Sequence, residues 1–226
     1  MGWIHPVDDY AMWPRLSDPE PGLTWDGWDE GDQHREIRDT AVPATALDVT
    51  GCKTIELVTS TLTNVVLDGP EAPDLDVFNS EILGCDMSRA RFTAVRGTRF
   101  ADSKLVGADF GGAEISDVSF ERCVLTFANL RSARLRRVRF VDCTLRDVDA
   151  SNADVENVSF AGSDLDRFNL DRFRASRVDF RRSQLTAIEN LGNLSGCLVD
   201  EEQLPGLVYE LAFALGLDLE RAADRS

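Results

Sequence analysis

The sequence predicts an all-β solenoid, a four-sided coil of short extended segments in which each turn of chain rests on the one before. Two periodicities carry this expectation. The longer is twenty residues: Phe100, Phe120, Phe140, Phe160 and Phe180 form one series, and Leu105, Leu125, Leu145, Leu165 and Leu185 form another, five residues later. Two positions ahead of the Phe series stand Thr98, Val118, Val138, Val158 and Val178; ahead of the Leu series stand Ser103, Cys123, Cys143, Ser163 and Ser183. Recurrence of this fidelity means one structural unit stacked on its equivalents, since a single unit cannot bury its apolar face alone. The shorter period is five, because every fifth residue from Phe100 to Leu185 is apolar. Phe110, Ile115, Leu130, Leu135, Val155 and Leu170 complete that set, with Ala150 and Ala175 its small members.

The residue two before each inward position is also apolar or small, as at Ala108, Ala113, Ala128, Ala133, Val148, Ala153, Phe168 and Phe173. Alternation over three residues points two side chains inward, as in a half-buried strand, and the remaining two residues must turn a corner. Four corners close one coil. The same register, displaced by three, runs earlier through Leu47, Cys52, Leu57, Leu62, Leu67, Ala72, Val77, Ile82, Met87 and Phe92. Together these units predict about seven coils across residues 44–199, a rod on the order of 33 Å long at one strand spacing per coil. Between Phe92 and Phe100 the interval is eight, which predicts an insertion or a shortened corner around Gly97. Proline cannot donate to a ladder, so Gly69-Pro70-Glu71-Ala72-Pro73 predicts a bulge or loop.

Units such as Ala108-Asp109-Phe110-Gly111-Gly112 and Ala128-Asn129-Leu130-Arg131-Ser132 resemble the repeats of the pentapeptide-repeat proteins, over roughly residues 45 to 199. The resemblance implies a right-handed quadrilateral β-helix with a solid interior, the central Leu or Phe pointing in and the small residue two before it packing alongside. The handedness comes from the resemblance alone.

With 226 residues and 43% apolar content the chain can build one elongated domain. It has no apolar run long enough to span a membrane, and Met1 to Tyr10 lacks the basic start and apolar stretch of a signal peptide, so a cytoplasmic protein is expected. Of the five cysteines, Cys85, Cys123, Cys143 and Cys197 fall at the small inward position and Cys52 at the central one, so they read as buried packing residues. No cofactor or metal is expected, because neither a C-x-x-C nor a paired His spacing occurs. Catalysis is not expected either. His5 and His34 lie outside the predicted repeats, and no nucleophile elbow, Walker loop or dinucleotide fingerprint is present. Asp147 and Asp149 read as a solvated corner rather than an acid/base couple.

Residues 1–43 hold all four tryptophans (Trp3, Trp13, Trp25, Trp28), five prolines, and ten acidic against three basic residues. The segment reads either as a cap over the open first coil or as a partner-binding arm with Trp anchors. At the other end, residues 200–226 begin with Asp200-Glu201-Glu202-Gln203, a helix start in which Gln203 reaches back and Val199 staples against Leu204. Leu204, Leu207, Val208, Leu211, Ala212 and Leu215 form an apolar stripe expected to cover the last coil, and Gly216 a stop. Tyr209, Phe213 and Ala214 lie off it. Gly196-Cys197-Leu198-Val199-Asp200-Glu201-Glu202-Gln203 and Ala214-Leu215-Gly216-Leu217 are similar to the ending of the branch of the family that binds DNA gyrase, where such a segment caps the helix and forms the homodimer. That resemblance implies a dimer contact through Leu207, Tyr209, Phe213 and Ala214.

The net charge of −16 divides into −7 for residues 1–43, −4 for 44–97, +1 for 98–186 and −6 for 187–226. An acidic total disfavours direct nucleic-acid binding. DNA mimicry, the mechanism implied by the gyrase-binding branch, needs unbroken acidity, yet Glu114 and Asp117, Arg134, Arg136 and Arg137, Asp154 and Glu156, and Arg174 and Arg177 alternate one coil apart. The expected mimic would therefore use its ends, with Glu189, Asp200, Glu201, Glu202 and Glu210 from each chain at the dimer centre. The function expected is a non-enzymatic, DNA-mimicking modulator or protector of a type II topoisomerase such as gyrase. The alternatives are a protein-interaction scaffold with an unrelated partner, bound through the N-terminal segment or a rod face, and an enzyme using His5 or His34 as base.

Overall fold

In the computed structural model, the described residues 33–69 and 72–217 form a parallel β-solenoid with one helix at its C-terminal end. The register repeats as the Phe and Leu series require: Phe100 pairs with Phe120 and Phe120 with Phe140, while Leu145 pairs with Leu165 and Leu165 with Leu185. One inward ladder climbs Ile37, Leu57, Val77, Val95, Ile115, Leu135, Val155 and Ala175, so the rod has eight coils against the seven expected. The extra coil lies on the N-terminal side. Strands His34–Arg38 and Ala41–Val42 precede the expected boundary at residue 44, and Ile37 and Val42 are buried.

The irregular coil is a shortened one, and its site corrects the expectation of a defect at Gly97. Phe92 and Val95 are both buried although only three residues apart, and Val95 takes the rung beneath Ile115. A two-residue corner is missing between them, and the pairing with Asp74–Phe78 slips between Leu75 and Asp76. Gly97 instead occupies an ordinary left-handed corner. In the Pro-containing stretch, Pro73 is buried and Ala72 exposed, the reverse of the predicted register.

Two residues after most inward positions the backbone turns left-handed, as at Asp102, Asp117, Arg122, Arg137 and Asp147. Other corners close locally as well, for example Ala108 N–H to Leu105 O at 3.1 Å and Ala128 N–H to Leu125 O at 3.2 Å. Inside, the Phe rings stack almost face on, with centroids 4.9 Å apart for Phe100–Phe120, 4.9 Å for Phe120–Phe140, 5.0 Å for Phe140–Phe160 and 4.8 Å for Phe160–Phe180. The strand spacing of ~4.8 Å sets these separations, within the range in which stacked aromatic pairs attract. The small inward column carries hydrogen bonds as well as volume: Cys143 N–H donates to Ser163 Oγ at 3.0 Å and Cys123 N–H to Cys143 Sγ at 3.4 Å. All five cysteines are free thiols. Burial pushes the Cys197 thiol up to about 11.

The helix α1 (Leu204–Ala214) follows a short 3-10 turn, Glu201–Gln203. Gln203 reaches back as expected, its Oε1 accepting from Asp200 N–H at 2.7 Å, while its Nε2 donates to Phe180 O and Ser183 O and so pins the helix to the last coil. Gly216, at φ 70°, ends it, with Leu217 N–H donating to Ala212 O at 2.9 Å. The apolar stripe is not buried as a unit. Leu207 and Ala212 are, but Leu204, Val208, Leu211 and Leu215 are 43%, 50%, 38% and 74% exposed, and Val199 at 36% is not sealed by the expected staple. The helix leans on the coil along Gly206 and Leu207: a Cβ at Gly206 would lie 3.3 Å from Leu185 O. At 100° per residue, the Leu204 stripe then faces away from the coil. Leu207, expected at a dimer contact, is part of the core.

Candidate functional site

The rod faces are covered with matched charges. On one face Arg134 meets Glu114 at 3.4 Å, Arg137 meets Asp117 at 2.6 Å, Arg136 bridges Asp154 and Glu156 at 3.1 and 3.4 Å, and Arg177 meets Glu156. At other corners a left-handed Arg grips the Asp one coil earlier with two nitrogens, Arg122 on Asp102 and Arg167 on Asp147. These guanidinium hydrogen bonds hold the Asp102 and Asp147 carboxyls below the usual carboxylate range. At Glu121 burial acts to raise the pKa, but hydrogen bonds from Arg99 and Ser119, with the charges of Arg99 and Arg122, outweigh it and the net shift is downward. Most of the central acids are thus tied to cations. Asp147 and Asp149 serve the ladder too, the latter accepting from Asn169 Nδ2 and Ser151 N–H.

The C-terminal cap differs. Residues 187–217 contain Glu189, Asp200, Glu201, Glu202 and Glu210 and no Lys or Arg. Among the described residues none of these five takes part in an ion pair; Asp200 Oδ2 accepts Arg182 N–H at 2.6 Å. The five fall into two groups. Asp200, Glu201 and Glu202 cluster at the helix start, whereas Glu189 and Glu210 line a groove of about 780 Å³ between α1 and the 187–193 segment. Tyr209, Phe213 and Ala214 line the same groove, with the two rings 70% and 86% exposed. The helix therefore offers two apolar surfaces on opposite flanks, the Leu204 stripe and the aromatic pair.

Sequence reasoning missed Phe127. It is 63% exposed and left-handed, φ 61°, at a corner that elsewhere takes Asp, Asn, Gly or Arg, or a small residue such as Thr59, Ser132 or Ala187. Its signal is an aromatic residue two positions after an inward leucine, Leu125. His34 is a strand residue whose Nδ1 lies 2.5 Å from Thr54 Oγ1, one coil on. His5 and the four tryptophans lie outside the described residues. Among the described residues no group of His, Cys, Asp or Glu is arranged to hold a metal ion, and no helix is long and apolar enough to cross a membrane.

Residues 95–170 match the family model described as a pentapeptide repeat region. None of the curated protein sequences matches the chain. Among solved structures it is similar to trypsin-treated QnrB1, a plasmid-mediated fluoroquinolone resistance protein, at 18% identity and TM-score 0.32, covering 83% of this chain and 100% of that one. It is also similar to HetL, a pentapeptide repeat protein involved in heterocyst differentiation regulation from the cyanobacterium Nostoc, at 14% identity and TM-score 0.33, covering 74% and 87%. A third is Rfr23 from the cyanobacterium Cyanothece, at 14% identity and TM-score 0.32, covering 54% and 82%. Residues 95–170 are thus similar to a pentapeptide repeat region, and the five-residue unit continues on both sides of them, from Ile37 to Ile188.

Proposed function

We propose that this is a non-catalytic binding protein that presents its acidic C-terminal cap, as a homodimer, to the basic DNA-binding surface of a type II topoisomerase such as gyrase. The observation that carries the reading is the contrast between rod faces covered with ion pairs and the described cap residues, 187–217, which hold five acids and no basic residue. A second copy packing on Leu204, Val208, Leu211 and Leu215 would bury the exposed stripe and join two acidic caps. The partner class rests on the resemblance of the 196–203 and 214–217 segments to the gyrase-binding ending. The test is a supercoiling and quinolone-stabilised cleavage assay with the host's own topoisomerase. The protein inhibits or protects, DNA competes it away, and Glu201→Lys with Glu202→Lys weakens the effect more than Glu114→Lys with Asp117→Lys. No effect at concentrations where the protein is dimeric refutes the reading.

Phe127 favours a second reading, a scaffold that docks an unrelated protein on a rod face. A large side chain held exposed in left-handed backbone has the form of an interface anchor. Capture by the host proteome that is lost in Phe127→Asn and retained in the Glu201/Glu202 variant would select it.

A further inference from the structure

We infer that the corner column carrying Phe127 is a contact for a second copy of this chain, packed alongside with its rod running antiparallel. Six left-handed corners stack in this column, Arg89, Gly107, Phe127, Asp147, Arg167 and Ala187, and the N–H of each of the first five is bonded to the next coil. Phe127 stands out from the column as a knob, 63% exposed. Gly107, one coil earlier, leaves a hollow: a Cβ there would meet nothing closer than Arg89 Cγ at 3.7 Å. A knob one coil above a hollow is complementary to itself under a two-fold axis that crosses the rods between those two coils. The same axis sets Arg89 against Asp147 of the second copy. On the adjoining column, where Arg91, Asp109, Asn129 and Asp149 succeed one another coil by coil, it sets Arg91 against Asp149 and Asp109 against Asn129. No like charges meet in either column across these four coils. Among the described residues Arg89 takes part in no ion pair within the chain, so the second copy supplies its counter-charge. Asp147, though gripped by Arg167, keeps lone pairs for a further donor.

Other alignments of two copies lose this match. Parallel rods set Arg89 on Arg89 and Asp147 on Asp147, and an antiparallel axis centred on Phe127 sets Arg89 against Arg167. An unrelated protein would account for the exposed ring but not for the opposed signs on either side of it. The outer pairs lie only about 14 Å apart along the rod at ~4.8 Å per coil, too short a contact for the ~1,200 Å² of a stable complex, so the association is weak, with a Kd on the order of 0.1 mM. It uses no residue of α1 and stands independently of the topoisomerase reading. The test is chemical trapping in the full chain. Arg89→Cys and Asp147→Cys proteins are mixed at about 0.1 mM with a short bis-maleimide, a concentration at which the weak complex is populated. The mixture is expected to give several times more cross-linked dimer than either variant alone or than the wild type, whose native cysteines set the background. Arg89→Cys mixed with Asp142→Cys, an exposed corner of another column, stays at background. Phe127→Asn in both copies lowers trapping by about 5-fold or more, the scale of an interface anchor, while leaving the isolated chain at least as stable. Each variant is first checked by its circular dichroism melt. Trapping in the mixture no better than in the single variants, equal trapping with Asp142→Cys, or trapping unchanged by Phe127→Asn would overturn the inference.

Discussion

Replacing Phe140 with alanine should remove about 5 kcal/mol of stability. The ring is 1% exposed and sandwiched between Phe120 at 4.9 Å and Phe160 at 5.0 Å, nearly parallel to both. An aromatic side chain buries ~150–250 Å², which at ~25 cal/mol per Å² is about 4–6 kcal/mol, of which alanine retains a part. Phe→Ala substitutions in cores cost ~3–5 kcal/mol, depending on how far the site collapses. Collapse is blocked here: the strands above and below are fixed by the Phe120–Phe140 pairing and its neighbours, so the upper end of the range applies. Urea unfolding followed by far-ultraviolet circular dichroism measures it. Phe140→Ala combined with Phe160→Ala should cost less than the sum by ~0.5–1.5 kcal/mol, because the second truncation no longer loses the shared stacking contact. A loss below about 1.5 kcal/mol, or strict additivity of the pair, would refute the continuous aromatic stack.

The helix surface makes a second prediction: Val208→Lys with Leu211→Lys should give a folded monomer by light scattering, whereas Leu207→Lys should damage the cap itself, and a monomeric wild type at tens of micromolar would end the dimer proposal. The carboxyls of Asp102, Glu121 and Asp147 are depressed on folding, so they stabilise the rod above the unfolded carboxylate values and that stability is lost as pH falls. Unfolding midpoints should therefore be flat from pH 5 to 8 and drop below about pH 4.5, less steeply in Glu121→Gln; a midpoint that rises on acidification contradicts this. Phe127→Asn should raise stability by about 1 kcal/mol, since asparagine tolerates the left-handed corner that costs other residues ~1–2 kcal/mol, and a destabilisation would mean that the ring makes contacts beyond this chain's surface.

The coil was legible because its steric demand repeats: an inward position accepts only apolar or small side chains, and twenty residues later the same demand recurs at Phe120, Phe140 and Phe160. Legibility failed where the demand was met by too few residues. In the first coil Ile37 and Val42 stand alone among Glu36, Arg38 and Thr40, so the strand there looked like part of an acidic flank. At Phe92 and Val95 the loss of a corner leaves a spacing of three, which a five-residue search passes over in favour of Gly97. Periodicity told which side of α1 is apolar but not which side touches the coil; Gly206, having no side chain, lets the backbone approach Leu185 O and turns the Leu204 stripe outward. The groove was invisible for a related reason. Glu189 and Glu210 stand on separate elements, and only the helix's lean places them on facing walls.

The shortened coil between Phe92 and Val95 gives the rod an origin. A stack with one strict repeat is degenerate under translation: sliding half of it by a full coil sets phenylalanine on phenylalanine again, and the slipped molecule loses contacts only at its ends. Such a chain could fold into a family of near-equal isomers that differ by a coil. The coil that takes Ile82 to Phe100 in eighteen residues instead of twenty breaks this symmetry. Any slip that crosses it sets a short turn against a full one, strands two residues without partners and moves the Leu75/Asp76 irregularity off its match. The defect acts as an index mark, ranking one alignment above all its translations. Removing a whole twenty-residue turn from the uniform region beyond Phe100 preserves that alignment, while restoring the two missing residues at Phe92–Val95 would erase it.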